Sequence, residues 1–359
     1  MNYAKGLFLK VKKIAFSAEE DINAAPFISA ADCHACTTPC AEEDHPHYPS
    51  YLKINHDIPL LYSVKPYTHH VLISTGKEDW EPHIDDDKAS LAHHMGKAID
   101  EGQHRLRAAG VETQGKILLT NSSRLAEDWE GPGWQVLVLP DQIMVNNVTI
   151  EQCRDFFDAF LAAPVGEAVT DSEPVDEGVV SGDKLQVTTE HDEDVSNTPK
   201  AVGPEDESTP SPAPAPAPAP SSTPNSRTVQ AGNTTFVARR WLPKAAIMIC
   251  SHKKRDKRCG VTAPILGKEF KRILQSKDLY GDAEGDVEIW MVSHIGGHKF
   301  AGNVIVHRNE GMAVWYGRVE PCHCQAIVDA TIERGEVIRE LYRGSMKGSF
   351  DSSKKSLAW

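Results

Sequence analysis

Between Gly166 and Ser226 the chain carries 13 Asp or Glu residues against two lysines, Lys184 and Lys200, and runs through Pro212-Ala-Pro-Ala-Pro-Ala-Pro-Ala-Pro220. With almost no aromatic residue, such a stretch buries too little apolar surface to offset the entropy of ordering it. A disordered, partly extended acidic Pro/Ala-rich linker is expected over 166–228. The 359 residues must therefore build their cores from two flanks, 1–165 and 229–346, with a flexible polar tail over 347–359. Most of the net charge of -13 lies in the linker, which leaves both flanks nearly neutral.

Both flanks read as α/β. In the first, strand-like Thr68–Ser74 precedes a helical stretch over Leu91–Ala109, then strand-like Lys116–Thr120 and Gln135–Leu139, then a helix from Ile150 to Ala163. Thr149 caps that last helix, with Gln152 three residues on. In the second, Ala245–Ile249 is a short apolar run fit for a buried strand. From Pro264 to Leu274 the apolar residues recur at helical spacing, with proline in the first turn. Val287–Val292 alternates as a further strand.

Each of these two strands delivers a pair of candidate ligands. Cys250 and Cys259 follow the first, separated by a charged loop, and His294 and His298 follow the second, around Gly296 and Gly297. If the strands are parallel neighbours, both pairs meet on one sheet edge, where open α/β folds place ligands. Two thiolates and two imidazoles suit zinc and an iron–sulfur cluster equally by softness. Eight residues between the cysteines are more than structural zinc fingers usually place there. Glycines let a backbone approach an inorganic core closely, and Rieske centres show that two histidines can replace two thiolates on one iron. An all-cysteine cluster pattern with its second pair replaced by histidine would give this sequence.

The strings Cys-Ser-His-Lys-Lys-Arg-Asp-Lys-Arg-Cys-Gly from Cys250, His-Ile-Gly-Gly-His-Lys-Phe-Ala-Gly-Asn from His294, and Trp-Tyr-Gly-Arg-Val-Glu-Pro from Trp315 resemble the sucrase/ferredoxin-like family. Its fungal members look like thioredoxin-like ferredoxins with a bis-histidinyl 2Fe-2S cluster. The resemblance, specific over roughly 235–345 and looser over the first flank, implies that the second flank is a thioredoxin-like domain holding the cluster; the first flank, whose strands and helices follow the same grammar, is expected to be a second thioredoxin-like domain without a cluster. It implies Cys250 and Cys259 on one iron, with His294 and His298 on the other. It also makes Arg318 a contact to the cluster or to a histidine ligand. No carboxylate pair of the kind that glycoside hydrolysis requires stands out, so the word sucrase is not carried over.

Other candidates divide between packing and chemistry. Cys33, Cys36 and Cys40, with His45 and His47 behind them, read either as free thiols or as a zinc site or dithiol relay. Cys322 and Cys324 open the last helix, whose N-terminus is expected to lower a thiol pKa. His252 is an alternate ligand or proton donor, whereas His307 lies on a strand as a packing residue. Lys253, Lys254, Arg255, Lys257 and Arg258 form the one basic cluster. It is read as offsetting the charge of a thiolate-ligated cluster and steering an acidic redox partner, beside the plainer reading of a solvated loop.

An electron-transfer protein is thus expected, with one-electron, proton-coupled chemistry and no catalytic residue. A zinc-binding interaction module and a thiol–disulfide oxidoreductase using Cys33 with Cys36, or Cys250 with Cys259, remain as alternatives. Eight cysteines in so long a chain do not make a disulfide scaffold. No run of 18 apolar residues suggests a membrane span, and nothing points to nucleic acid or a membrane as partner. The cytoplasm is expected, with a mitochondrial location as the alternative. The C-terminal Trp359 is similar to the aromatic signal by which some iron–sulfur proteins contact the cytosolic cluster-targeting machinery.

Overall fold

Apolar runs at period two alternate with amphipathic stretches along both flanks, and together they form a mixed α/β fold dominated by one large sheet. The computed structural model describes residues 27–28, 46–61, 63–111, 115–126, 131–163, 226–309 and 311–349. In chain order these give β1 (Phe27–Ile28), β2 (Tyr67–Ser74), α1 (Leu91–Ala108), β3 (Lys116–Ser122), β4 (Trp134–Leu139), β5 (Ile143–Val148) and α2 (Cys153–Phe160). There follow β6 (Ser226–Ala231), β7 (Thr234–Arg240), β8 (Ala245–Cys250), α3 (Lys257–Ser276), β9 (Val287–Val292), β10 (Val304–Arg308) and β11 (Met312–Tyr316). Last come α4 (His323–Ala326), which continues as a π-helix over Ile327–Glu333, then β12 (Val337–Ile338) and β13 (Tyr342–Ser345).

Eleven strands make the main sheet in the order β13-β11-β10-β8-β9-β3-β2-β4-β5-β7-β6, while β1 pairs with β12 in a separate two-stranded sheet. Within the main sheet β8 runs parallel to β9 and β2 parallel to β3, and the other pairings are antiparallel. The two flanks meet where β3 pairs with β9, at Ser122 opposite Val292. Their strands therefore share one sheet.

The first flank's core gathers Val71, Ile73, Met95, Phe156, Phe157 and Phe160. Phe236 of β7 belongs to this core, so the hairpin β6–β7, which lies beyond the linker, completes the first flank. Its turn is Gly232-Asn233, with Gly232 at φ 58°, a two-residue connection of the kind that needs positive φ. The strand begins at Ser226, inside the stretch expected as linker.

A second core lies under α3 and the π-helix and includes Ile247, Ile249, Leu266, Phe270 and Val328. The whole of β8 is buried, and its period of two divides it between cores. Ala245, Ile247 and Ile249 join the second core, whereas Ala246, Met248 and Cys250 join a third, with Tyr67, Leu139, Trp241, Trp290, Trp315 and Cys259. The first expected ligand is thereby placed at a strand end, on an apolar face.

The helix expected from Pro264 instead begins at Lys257, so Pro264 lies in its interior. Asp256 overrides the local propensity by capping the helix seven residues earlier: its Oδ1 accepts from the N–H of Arg258 at 2.9 Å. Consequently Cys259 stands in the first turn of α3 rather than at the end of a loop. At the other site of local agreement, Thr149 and Gln152 form the expected capping box, although the chain there opens as a 3₁₀ turn, Ile150–Gln152, before α2. Among the described residues no helix is long and apolar enough to cross a membrane.

Candidate metal centre

Parallel β8 and β9 end side by side, with Cys250 opposite Val292. Cys250 closes β8, and Cys259 returns beside it from the first turn of α3, both essentially inaccessible at 1 % and 0 % exposure. Burial alone would push both thiols up, but they titrate as a pair. Cys250 is held well below the ordinary thiol value, first by the hydrogen bond from Cys259 and further by the His294 imidazole and the N–H of Ile295. Cys259, which keeps the proton, is pushed up. Both sulfurs sit near the positive end of α3, which favours thiolate character.

His294 and His298 follow β9 on a loop that turns through Gly296 at φ 88° and Gly297 at φ 72°. A Cβ on Gly297 would come within 2.1 Å of Arg343 Nη2, so only glycine lets the loop pass this guanidinium. The two imidazoles face each other with ring centroids 5.4 Å apart and 35° between planes. Both Nδ1 atoms are buried without a hydrogen-bond partner. Buried polar atoms are normally satisfied, so two adjacent orphaned ring nitrogens next to two buried cysteine sulfurs mark a donor set that fits a soft or borderline metal. Among the described residues no group of three or more His, Cys, Asp or Glu side chains converges on one ion position.

His252, expected as an alternate ligand or proton donor, has both ring nitrogens committed. Its Nδ1 accepts from the N–H of His294 at 3.1 Å and its Nε2 donates to the carbonyl of Trp80 at 3.0 Å. It is therefore a neutral imidazole that fixes the backbone of His294. The Trp80 ring meets it edge to face, 5.8 Å between centroids.

On the outer side, His298 Nε2 lies 3.9 Å from Asp256 Oδ2, and the His298 side chain is 44 % exposed. Desolvation lowers the His298 pKa, with Asp256 opposing that shift.

Three of the five cations of the basic loop are engaged by groups of this chain. Lys254 pairs with Glu81, Arg255 reaches the carbonyl of Pro82 and the His83 ring, and Arg258 grips Asp256 and the carbonyl of Lys53. These contacts dock the loop on the first flank, as does Ser251 Oγ, which donates to the carbonyl of Glu78 at 2.6 Å.

Arg318 departs from the expected contact with the centre. It adopts φ 56° and donates to the carbonyls of Asn55 and Ile58. The guanidinium beside the candidate ligands is instead Arg343, 1 % exposed. Its Nη1 donates to the carbonyl of Gly296 at 3.2 Å and to Asn303 Oδ1 at 2.9 Å, and its Nε donates to Ser63 Oγ at 3.0 Å. Burial lowers its pKa to about 10, and the charges that oppose this are the thiols of Cys250 and Cys259. No local pattern flags Arg343, which is 45 residues past His298 in sequence.

Burial pushes the Cys324 thiol well up, against the expected lowering, and the Glu269 carboxylate adds to the rise. His307 is buried within the sheet, as expected of a packing residue, with burial lowering its pKa to about 3. Cys33, Cys36, Cys40, His45 and Trp359 lie outside the described residues, and His47 is exposed.

Residues 60–344 match the family described as Sucrase/ferredoxin-like. A Saccharomyces cerevisiae relative, Actin patches distal protein 1, is 31% identical over 318 residues, covering 84% of this chain and 81% of the relative. Altered inheritance of mitochondria protein 32 from Clavispora lusitaniae is 50% identical over 101 residues, which are 28% of this chain and 35% of that protein. The namesake from Debaryomyces hansenii is 46% identical over 105 residues, 29% of this chain and 36% of the relative. The chain thus spans about a third of the length of these last two relatives. No solved structure matches.

Proposed function

We propose that this chain, which belongs to the sucrase/ferredoxin-like family, is an electron-transfer protein holding a 2Fe-2S cluster between Cys250, Cys259, His294 and His298. The observation that carries this reading is the pair of buried, unpartnered Nδ1 atoms of His294 and His298 beside the Cys250–Cys259 thiol pair. Two thiolates would hold one iron and two imidazoles the other, so each metal takes only two ligands from the chain. When bound, such a cluster supplies one-electron redox chemistry, at a potential that imidazole ligation raises above that of an all-thiolate site.

The rest is done by side chains. Cys250 and Cys259 bind at the water-excluded base, and His252 holds the backbone of His294 in place. Arg343 places a buried positive charge beside the thiolates and so favours the reduced, more negative state. His298 presents the half-exposed edge, where its Nε2 can hold a proton near Asp256.

This reading is tested by a redox titration across the histidine range. Loss of a proton from a ligand imidazole removes positive charge, which disfavours the reduced state, so the midpoint is expected to fall as pH rises, by up to about 59 mV per pH unit for one proton per electron. A midpoint constant across that range would contradict histidine ligation. A two-electron wave would instead identify a dithiol couple. The thiol contact of Cys250 with Cys259 favours that second reading, though both sulfurs are too buried for a protein disulfide to reach.

Each half of the sheet, with its own helices and core, is proposed as a thioredoxin-like unit. A redox partner protein is proposed at the His298 edge, and the cytosolic cluster-targeting machinery at Trp359. The cytoplasm is the proposed compartment and the mitochondrion its alternative, in keeping with the printed name of the Clavispora lusitaniae relative.

A further inference from the structure

The loop from His294 to His298 passes through two successive glycines in the left-handed region, and glycine has more backbone freedom to lose than any other residue. A loop that presents two imidazoles in one arrangement therefore needs its backbone held from outside. Both glycine carbonyls are held. That of Gly296 accepts from Arg343 Nη1 at 3.2 Å, and that of Gly297, the residue before His298, accepts from Asn303 Nδ2 at 3.1 Å and from the N–H of Phe300 at 2.8 Å.

Asn303 is fully buried, and both ends of its amide are used. Oδ1 accepts from Arg343 Nη1 at 2.9 Å while Nδ2 donates to Gly297, so the side chain must be acceptor and donor at once, which an amide is and a carboxylate is not. Its main chain faces the cysteines. The Asn303 carbonyl accepts from the N–H of Cys250 at 3.0 Å, one residue beyond the pair Ile249–Val304 that ends the β8–β10 ladder. Just before it, the Gly302 N–H donates to Thr262 Oγ1 at 3.2 Å, and that hydroxyl donates to the carbonyl of Arg258 at 3.1 Å. Gly302 and Asn303 thus join the end of β8, the first turn of α3 and the carbonyl that precedes His298.

His294 is fixed by other groups. Its N–H donates to His252 Nδ1 at 3.1 Å, and the next N–H, of Ile295, donates to the Cys250 sulfur. On the His298 side the corresponding anchor is Asn303.

We infer that Asn303 is the positioning residue of His298: its side chain holds the Gly297 carbonyl while its own carbonyl holds the Cys250 N–H, which fixes the separation between the thiol pair and the second imidazole. The consequence for iron binding rests on the cluster reading proposed above. The consequence for the loop does not.

The test is residue-resolved amide hydrogen exchange on the full chain. Asn303→Asp keeps an acceptor for Arg343 but puts an oxygen where Nδ2 donates to Gly297, and Asn303→Ala removes both ends. In both variants the protection of the Phe300 and Ala301 amides, which donate to the Gly297 and His298 carbonyls, should fall at least about tenfold, with the His294 amide unchanged. His252→Ala should give the reverse, whereas a general loss of stability would lower all three amides together. In iron-loaded protein both Asn303 variants should bind iron about 10–100-fold more weakly than wild type. Wild-type protection at Phe300 and Ala301 in both Asn303 variants, an equal fall at all three amides, or unchanged iron affinity would each overturn the assignment. If the wild type holds no iron, the cluster reading fails, and the exchange contrast alone upholds or overturns this one.

Discussion

Replacing His294 or His298 by alanine is expected to strip bound iron and the visible absorption from the purified protein while the chain stays folded. Each imidazole contributes a buried Nδ1 that no other group in the structure satisfies, so its loss removes a ligand without breaking a hydrogen bond at that atom. The fall in iron affinity should exceed the roughly 10–100-fold that follows loss of a residue which only orients a ligand. His252→Ala, which frees the N–H of His294 but removes no ligand, should fall within that smaller range. Iron and acid-labile sulfide per chain, measured beside circular dichroism, check both. A thiol–disulfide oxidoreductase working through Cys250 and Cys259 predicts the opposite pattern, since it should survive both histidine changes. Unchanged iron content in both alanine variants would remove the histidines from the centre.

The second large effect is on stability and lies where strands from both flanks meet. Glu288 of β9 accepts from Trp241 Nε1 at 2.7 Å and from Arg124 Nε at 3.2 Å, and Arg124 continues to Gln135, which reaches Asn146. The Arg124 and Glu288 side chains are 7% and 11% exposed. Removing one member of a buried ion pair leaves the other charge poorly compensated and costs about 3–5 kcal/mol. Glu288→Ala should therefore destabilise by about that amount in urea unfolding followed by tryptophan fluorescence.

Burial is the largest influence on the Glu288 carboxyl and raises its pKa, with Arg124 opposing. A carboxyl whose folded pKa is raised favours the fold in its protonated form, so its contribution is full below the unfolded pKa and diminishes as pH rises through the folded one. Glu288→Gln stays neutral and keeps an acceptor for Trp241, so its deficit relative to wild type should shrink as pH rises through that window. A Glu288→Ala variant as stable as wild type would show that the buried network contributes nothing to joining the flanks.

Much of the centre was legible in the chain because it is written in short-range chemistry. Two apolar runs that end at Cys250 and just before His294 place these residues at strand ends, and parallel pairing of β8 with β9 sets those ends side by side. What escaped depends on long-range contacts or on a competing cap. Pro264 reads as a helix start because proline favours the first turn, but the Asp256 side chain satisfies the end of α3 seven residues earlier and carries Cys259 onto the helix. The hairpin β6–β7 follows the linker, so it reads as part of the second flank. Its Gly232-Asn233 turn signals a hairpin, yet only the pairing of β7 with β5 says which core it completes. Arg318 lies close to the ligands in the recognised strings, whereas Arg343 reaches them only through the fold.

The basic loop shows the same limit. Its five cations read as an open docking surface, but Glu81, Pro82, His83, Asp256 and Lys53 engage three of them. Partner steering would then fall to Lys253 and Lys257, together with the exposed edge of His298.

Electron paramagnetic resonance of the dithionite-reduced protein, wild type beside His298→Cys, tests the ligand assignment most directly. A reduced 2Fe-2S centre with two imidazoles should give a spin-half signal, and exchanging one imidazole for thiolate should move its g values and lower its potential. A silent wild type, or g values identical in the two proteins, would contradict ligation of a cluster by His298.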